Sequence, residues 1–135
     1  VDNQITGQIE QGFCVFIGVA EGDNEQIADK MIRKLLGMRI FADADGKTNL
    51  ALQDVNGGLL LISQFTLYAN CRKGNRPSFT EAGNPELANH LYEYIIQKCR
   101  EQISNVQTGI FGADMQIELV NNGPTTILID TKNKE

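Results

Sequence analysis

Residues 4–9 alternate weakly between polar and apolar side chains, and after Gln11-Gly12 the chain turns continuously apolar through Phe13-Cys14-Val15-Phe16-Ile17. That run predicts a buried strand over 13–19. Asp23 or Asn24 is placed to cap a helix, and Ile27, Met31, Ile32 and Leu35 recur at helical spacing until Gly37 ends it. A short strand is expected over 38–41 and a turn over 43–46. Asn56-Gly57 is a hairpin signal. The apolar stretch after it predicts a strand over 59–68 that becomes mixed at Ser63. A strand with one apolar and one polar end can carry polar side chains into a cleft. Ser63 and Thr66 simply facing solvent fits the spacing equally well.

The second half reads as a polar loop over 70–83, then Asn84 and Pro85 as N-cap and first residue of a long helix. Leu87, Leu91, Tyr94, Ile95 and Cys99 mark one face of that helix. A Gly-containing loop over 108–113 leads to strands over 115–120 and 125–130, joined by Asn122-Gly123-Pro124, and the charged tail 132–135 is expected to fray. Strands predominate and two helices interrupt them without regular alternation. The expected fold is therefore α+β, with mostly antiparallel sheets forming a barrel-like or two-sheet core.

The 135 residues suit one domain over 1–135 with one core, and 41% apolar with 21% charged residues is an ordinary globular balance. The longest apolar run, 13–20, falls far short of the roughly 20 residues that cross a bilayer, so no membrane partner is expected. Three cysteines without C-x-x-C spacing make neither a disulfide framework nor a zinc site, which points to a reducing cytoplasm. Cys14 and Cys99 read as small core residues, and Cys71 lies beside Arg72-Lys73. A net charge of -5 argues against a broad basic surface for nucleic acid. It leaves room for local phosphate contact at Arg72-Lys73-Gly74-Asn75-Arg76.

Chemistry that is missing narrows the choice further. The single histidine, His90, lies on the long helix, where nothing brings it beside a nucleophile. Asp43 and Asp45 with Gly46 lack the remaining ligands of a calcium loop. Phosphate-binding and dinucleotide glycine patterns do not occur. Neither a metal nor any cofactor is expected. An enzyme of this composition would need a substrate with its own activating group and backbone dipoles to stabilise charge.

The segments Ser63-Gln64-Phe65-Thr66-Leu67-Tyr68-Ala69 and Arg72-Lys73-Gly74-Asn75-Arg76-Pro77-Ser78-Phe79 resemble the first signature of the D-aminoacyl-tRNA deacylases. Residues Thr108-Gly109-Ile110-Phe111-Gly112-Ala113-Asp114-Met115-Gln116 and Val120-Asn121-Asn122-Gly123-Pro124-Thr125-Thr126 resemble the second. Met38-Arg39-Ile40-Phe41 and Lys47-Thr48-Asn49-Leu50 match weaker positions. The similarity runs nearly end to end.

This resemblance implies ester hydrolysis of D-aminoacyl-tRNA, and of glycyl esters, by a homodimer with its active sites at the subunit interface. It implies a cis Gly123-Pro124 bond reaching into the partner's pocket, where two backbone carbonyls accept the substrate amino group and exclude an L side chain. The free hydroxyl of the terminal ribose assists hydrolysis, so Thr66 becomes a positioning group. Ser63, Gln64 and the backbone around Phe65 and Phe79 orient the ester and stabilise the oxyanion. Phe111, Gly112 and Met115 flank the terminal adenine, although core packing explains Phe111 and Met115 equally well on spacing alone. Arg72, Lys73 and Arg76 contact acceptor-stem phosphates.

Two departures stand out. The resemblance implies an additional first strand with a Gln-Arg-Val run whose arginine holds the Gly-Pro loop. This sequence opens on Val1, after it, so an exposed sheet edge and a less firmly held loop are expected. Thr125 and Thr48 replace a small apolar residue and a methionine. The competing reading is a non-catalytic dimeric protein that binds the aminoacylated tRNA 3′ end.

Overall fold

The structure, a computed structural model, describes residues 1–132. Strand β1 (Gly12–Ile17) is followed by helix α1 (Glu25–Gly37), the short strands β2 (Phe41–Ala42) and β3 (Thr48–Leu50), and strand β4 (Gly58–Ser63). Helix α2 (Pro85–Arg100) and strand β5 (Val106–Thr108) complete the order. Short 3-10 turns at Leu52–Val55 and Phe65–Tyr68 flank β4.

The sheet corrects the expected fold class. Strands run in the order β1-β4-β5, and both pairings are parallel; only β2 and β3 pair antiparallel, in a separate two-stranded sheet. There is no closed barrel among the described residues. Parallel neighbours need a crossover, and the two helices supply it between β1 and β4 and between β4 and β5. The short β2-β3 excursion hides that alternation in the sequence. The continuous apolar runs at 13–17 and 59–62 were the signal for it, because parallel strands are covered on both faces.

Asn56-Gly57 does not make a hairpin. Asn56 adopts a left-handed conformation (φ 52°, ψ 39°) that ends the 3-10 turn, and the Gly57 N–H donates to the Leu52 carbonyl at 3.0 Å. The strand expected over 59–68 stops at Ser63, and the one expected over 38–41 shrinks to Phe41–Ala42. Segments 4–9, 115–120 and 125–130 carry no ladder. An extended segment becomes a strand only through pairing, and periodicity alone does not supply the partner. Leu119, Val120, Ile127 and Leu128 are accordingly exposed, Val120 at 92%. The expected fraying of 132–135 falls mostly on residues 133–135, outside the described residues.

Both helices begin as the sequence predicts. Asn24 and Asn84 accept from the N–H groups of Ile27 (2.9 Å) and Leu87 (2.8 Å), and Pro85 occupies the first turn, where its missing N–H costs nothing. α1 buries Ala28, Ile32, Leu35 and Leu36. The buried face of α2 is Ala88, Leu91, Tyr92, Ile95, Ile96 and Cys99, turned from the expected stripe so that Tyr92 replaces Tyr94. Tyr94 instead donates to Asp29 on α1 at 2.6 Å. Together with Leu59, Leu61 and Val106 from the sheet, these side chains form one core. Close approach of β1 and β4 requires glycine, since a Cβ on Gly12 would collide with the Gly58 carbonyl.

Candidate functional site

β4 carries the candidate residues out of the core. Leu61 is fully buried, Ser63 is half-buried, and Phe65 and Thr66 are exposed. The Gln64 N–H donates to the Ile17 carbonyl at 2.8 Å, which fixes the strand end against β1 before the chain tightens into its 3-10 turn. This turn, rather than strand alternation, brings residues 63–66 together. Its consequence is a hydrogen bond from Gln64 Nε2 to Thr66 Oγ1 at 3.1 Å. An amide N–H donated into the hydroxyl oxygen cannot remove that hydroxyl's proton.

Phe79 arrives from the long loop. Asn70 and Ser78 exchange backbone hydrogen bonds (2.7 and 2.9 Å), pinching the loop at its neck, and the Phe65 and Phe79 rings meet edge-to-face at 5.1 Å. Arg72, Lys73 and Arg76 lie on the exposed part of that loop beyond the neck, with Cys71 exposed beside them. His90 is on α2, 3.8 Å from Glu25 of α1, where both side chains are about half or more exposed.

The loop after β5 lies against the same strand. The Gly109 N–H donates to the Leu61 carbonyl at 3.3 Å. A Cβ on Gly109 would collide with the Met115 sulfur and come within 3.1 Å of Ile62, so Gly109 makes room for Met115. Phe111 packs on the buried Tyr92 ring at 6.2 Å, and Gly112 turns the chain at φ 77°. Phe111 and Met115 are thus half-buried, and Phe111 packs against the core.

Tyr92 and Asn121 were not among the sequence candidates. The Tyr92 hydroxyl donates to the Leu61 carbonyl at 2.7 Å. Burial, then the charge of Glu93, pushes this phenol above its ordinary range, partly offset by the Gly109 N–H and the Thr108 hydroxyl. Its spacing to Ala88, Ile95, Ile96 and Cys99 was the available signal. Asn121 spans the Gly-Pro turn: its Oδ1 accepts the Thr125 N–H and its Nδ2 donates to the Thr126 hydroxyl, both at 2.8 Å.

The Gly123-Pro124 peptide bond is cis, and Gly123 adopts φ 130°, with no space for a Cβ beside the Thr125 hydroxyl. The hydrogen bonds described for this turn run to Asn121, Thr125 and Thr126, and the whole turn is exposed. The structure therefore brings Ser63, Gln64, Phe65, Thr66 and Phe79 together, and seats Phe111 on Tyr92 of α2 and Met115 beside Gly109. It leaves Gly123-Pro124 on a separate arm.

A cleft of about 470 Å³ opens on the far side of the 3-10 turn, lined by Leu67, Tyr68 and Thr80 with Glu21, Glu81, Asp130 and Lys132. Burial and the carboxylates of Asp23, Asp130 and Glu81 push the Tyr68 phenol up. Its acidic lining repels phosphate, and Ser63, Gln64 and Thr66 are not part of it. Asp43, the residue of calcium-loop appearance, accepts from the N–H groups of Asp45 and Lys47 at 2.9 Å, which holds its carboxyl below the usual range and closes a turn.

One solved structure, described as "c-Myc DNA Unwinding Element Binding Protein", is 35% identical; the match covers 88% of this chain and 81% of that one with a TM-score of 0.83. Another, "Structural Analysis of a probable eukaryotic D-amino acid tRNA deacylase", shares the fold at 15% identity and TM-score 0.61, over 76% of each chain. The family model for D-Tyr-tRNA(Tyr) deacylase matches residues 1–130. The match spans nearly the whole chain, and this chain belongs to the D-Tyr-tRNA(Tyr) deacylase family, whose members are hydrolases.

Proposed function

We propose that this protein hydrolyses the ester bond of D-aminoacyl-tRNA, and of glycyl-tRNA, releasing the amino acid and free tRNA in the cytoplasm. The observation that carries this reading is the turn at Ser63–Thr66, with Phe79 against Phe65, beside the Phe111–Met115 loop on one strand end. Ser63, Gln64 and the backbone around Phe65 and Phe79 orient the ester and stabilise its oxyanion. Thr66, receiving the Gln64 amide, positions substrate, and the neighbouring ribose hydroxyl supplies the assistance that no side-chain base provides. Phe111, Gly112 and Met115 hold the terminal adenine, and Arg72, Lys73 and Arg76 meet phosphates of the acceptor stem.

Chirality is read by Gly123-Pro124 of a second subunit, whose carbonyls accept the amino group and exclude an L side chain. What supports a second copy is the exposed apolar arm that carries this turn, with Leu119, Val120, Ile127 and Leu128 uncovered. The test is release of amino acid from D- and L-tyrosyl-tRNA. Faster turnover of the D ester is expected, and equal rates would overturn the reading.

A second reading is binding of nucleic acid without hydrolysis. The exposed Arg72–Arg76 loop and the description of the 35% identical structure favour it. Retention of charged tRNA with its amino acid intact would establish that reading.

A further inference from the structure

The described core is built from aliphatic side chains, one thiol and a single phenol, that of Tyr92, which is 2% exposed. Burying a hydroxyl is unfavourable unless it is hydrogen-bonded, so its partners say what it is for. It donates to the Leu61 carbonyl, two residues before Ser63 on β4. The Gly109 N–H donates to that same Leu61 carbonyl at 3.3 Å, just after β5 ends at Thr108. Gly109 opens the loop in which Phe111 and Met115 stand, and the Phe111 ring lies on the Tyr92 ring at 6.2 Å and 37°. One buried side chain thus joins the strand that ends at Ser63 to the loop that carries Phe111.

We propose that Tyr92 is a positioning residue: its phenol sets the distance between the ester-holding strand end and the adenine-holding loop. Resting on the proposed function, this inference adds the device that keeps the two halves of the substrate pocket in register. Replacing Tyr92 by Phe keeps the ring that supports Phe111 and removes only the bridge. The Leu61 carbonyl retains the Gly109 N–H, so the fold persists while the loop loosens. Base binding suffers before the chemistry does.

The experiment compares Tyr92→Phe with wild type and with Ile96→Val, a buried neighbour that perturbs packing without touching the bridge. The substrates are the D-tyrosyl esters of adenosine and of methyl riboside, which keeps the ribose hydroxyls but lacks the base. Tyr92→Phe is expected to raise KM for the adenosine ester roughly five- to tenfold, the worth of one hydrogen bond, with kcat little changed. The riboside ester should respond to neither variant. Equal effects on both esters, or an Ile96→Val effect matching Tyr92→Phe, would reduce Tyr92 to a core residue and overturn the inference.

A binding measurement separates this inference from the hydrolytic reading. Adenosine titrated into wild type should shift the Met115 methyl resonance, with weaker binding to Tyr92→Phe. Absence of that shift in wild type overturns the role given to Tyr92 even if esters are cleaved. Adenosine binding that depends on Tyr92, without ester cleavage, upholds the seat and overturns the hydrolase.

Discussion

The strand end at Ser63 and the turn at Gly123-Pro124 are held by different forces. Behind Ser63 lie Leu59 and Leu61, fully buried between β1, β5 and α2, with the Tyr92 phenol bonded to the strand itself. Among the described residues, the Gly-Pro turn is held by its own Asn121 side chain, bonded to Thr125 and Thr126 in full exposure. Tertiary burial fixes the first, and sequence-local hydrogen bonds fix the second. In the proposed function, a group that orients an ester gains from the rigidity of a packed core, and a turn offered to a second subunit has to carry its geometry with it.

The largest expected contrast comes from Leu59→Ala, which empties the centre of the three-stranded sheet. A loss of about 2–5 kcal/mol is expected, seen as a lower denaturant midpoint, with hydrolysis falling in parallel. Amide exchange at Thr125 should stay close to its wild-type rate until global unfolding, because the turn does not lean on that core. Thr125 loosening in step with the core would erase the distinction.

The next largest effect is a pH dependence confined to the core. Burial pushes the Cys99 thiol up to about 11, against an ordinary 9.0 in the unfolded chain. The unfolded chain gives up this proton from about pH 9, whereas the folded protein retains it. The stabilisation is complete below pH 9 and is lost as pH rises through 11. Thermal melts of wild type should therefore lose up to about 1.4 kcal/mol per pH unit relative to Cys99→Ala across that window. Parallel melting curves would contradict the burial of this thiol.

Smaller effects separate the two kinds of cap. Asn84→Ala removes the acceptor for Leu87 N–H and should cost about 1 kcal/mol of global stability. Asn121→Ala also removes a side-chain acceptor for a backbone N–H, yet should change the melting midpoint little, because the exposed turn relaxes locally. Its signature is faster exchange at Thr125 and a weaker preference for the D ester. If Asn121→Ala lowers the midpoint as far as Asn84→Ala does, the arm is coupled to the core after all.

How much of this was legible follows the same division. Asp23-Asn24, of which Asn24 proves to be the cap, with Asn84 and Pro85 announced both helix starts, because caps are local chemistry. The signature segments named the family correctly. Strand direction was not legible, since pairing is a non-local property. The Asn56-Gly57 dipeptide supplied a left-handed residue that two different turns can use. Thr66 was placed on a strand because the apolar run before it gave no sign of the 3-10 turn at Phe65. Tyr92 stayed hidden for a related reason: α2 is rotated by its packing on the sheet, and periodicity alone drew the stripe through Tyr94.

The most direct test of the division of labour is the ratio of kcat/KM for D- and L-tyrosyl-tRNA in wild type and in Gly123→Ala. A Cβ at Gly123, forced into φ 130° against the Thr125 hydroxyl, must deform the exposed turn and leave the buried strand end alone. A wild-type ratio strongly favouring the D ester, falling by about tenfold or more in Gly123→Ala at an unchanged melting midpoint, is the expected result. An unaltered ratio in a folded Gly123→Ala protein would contradict the assignment of discrimination to the arm.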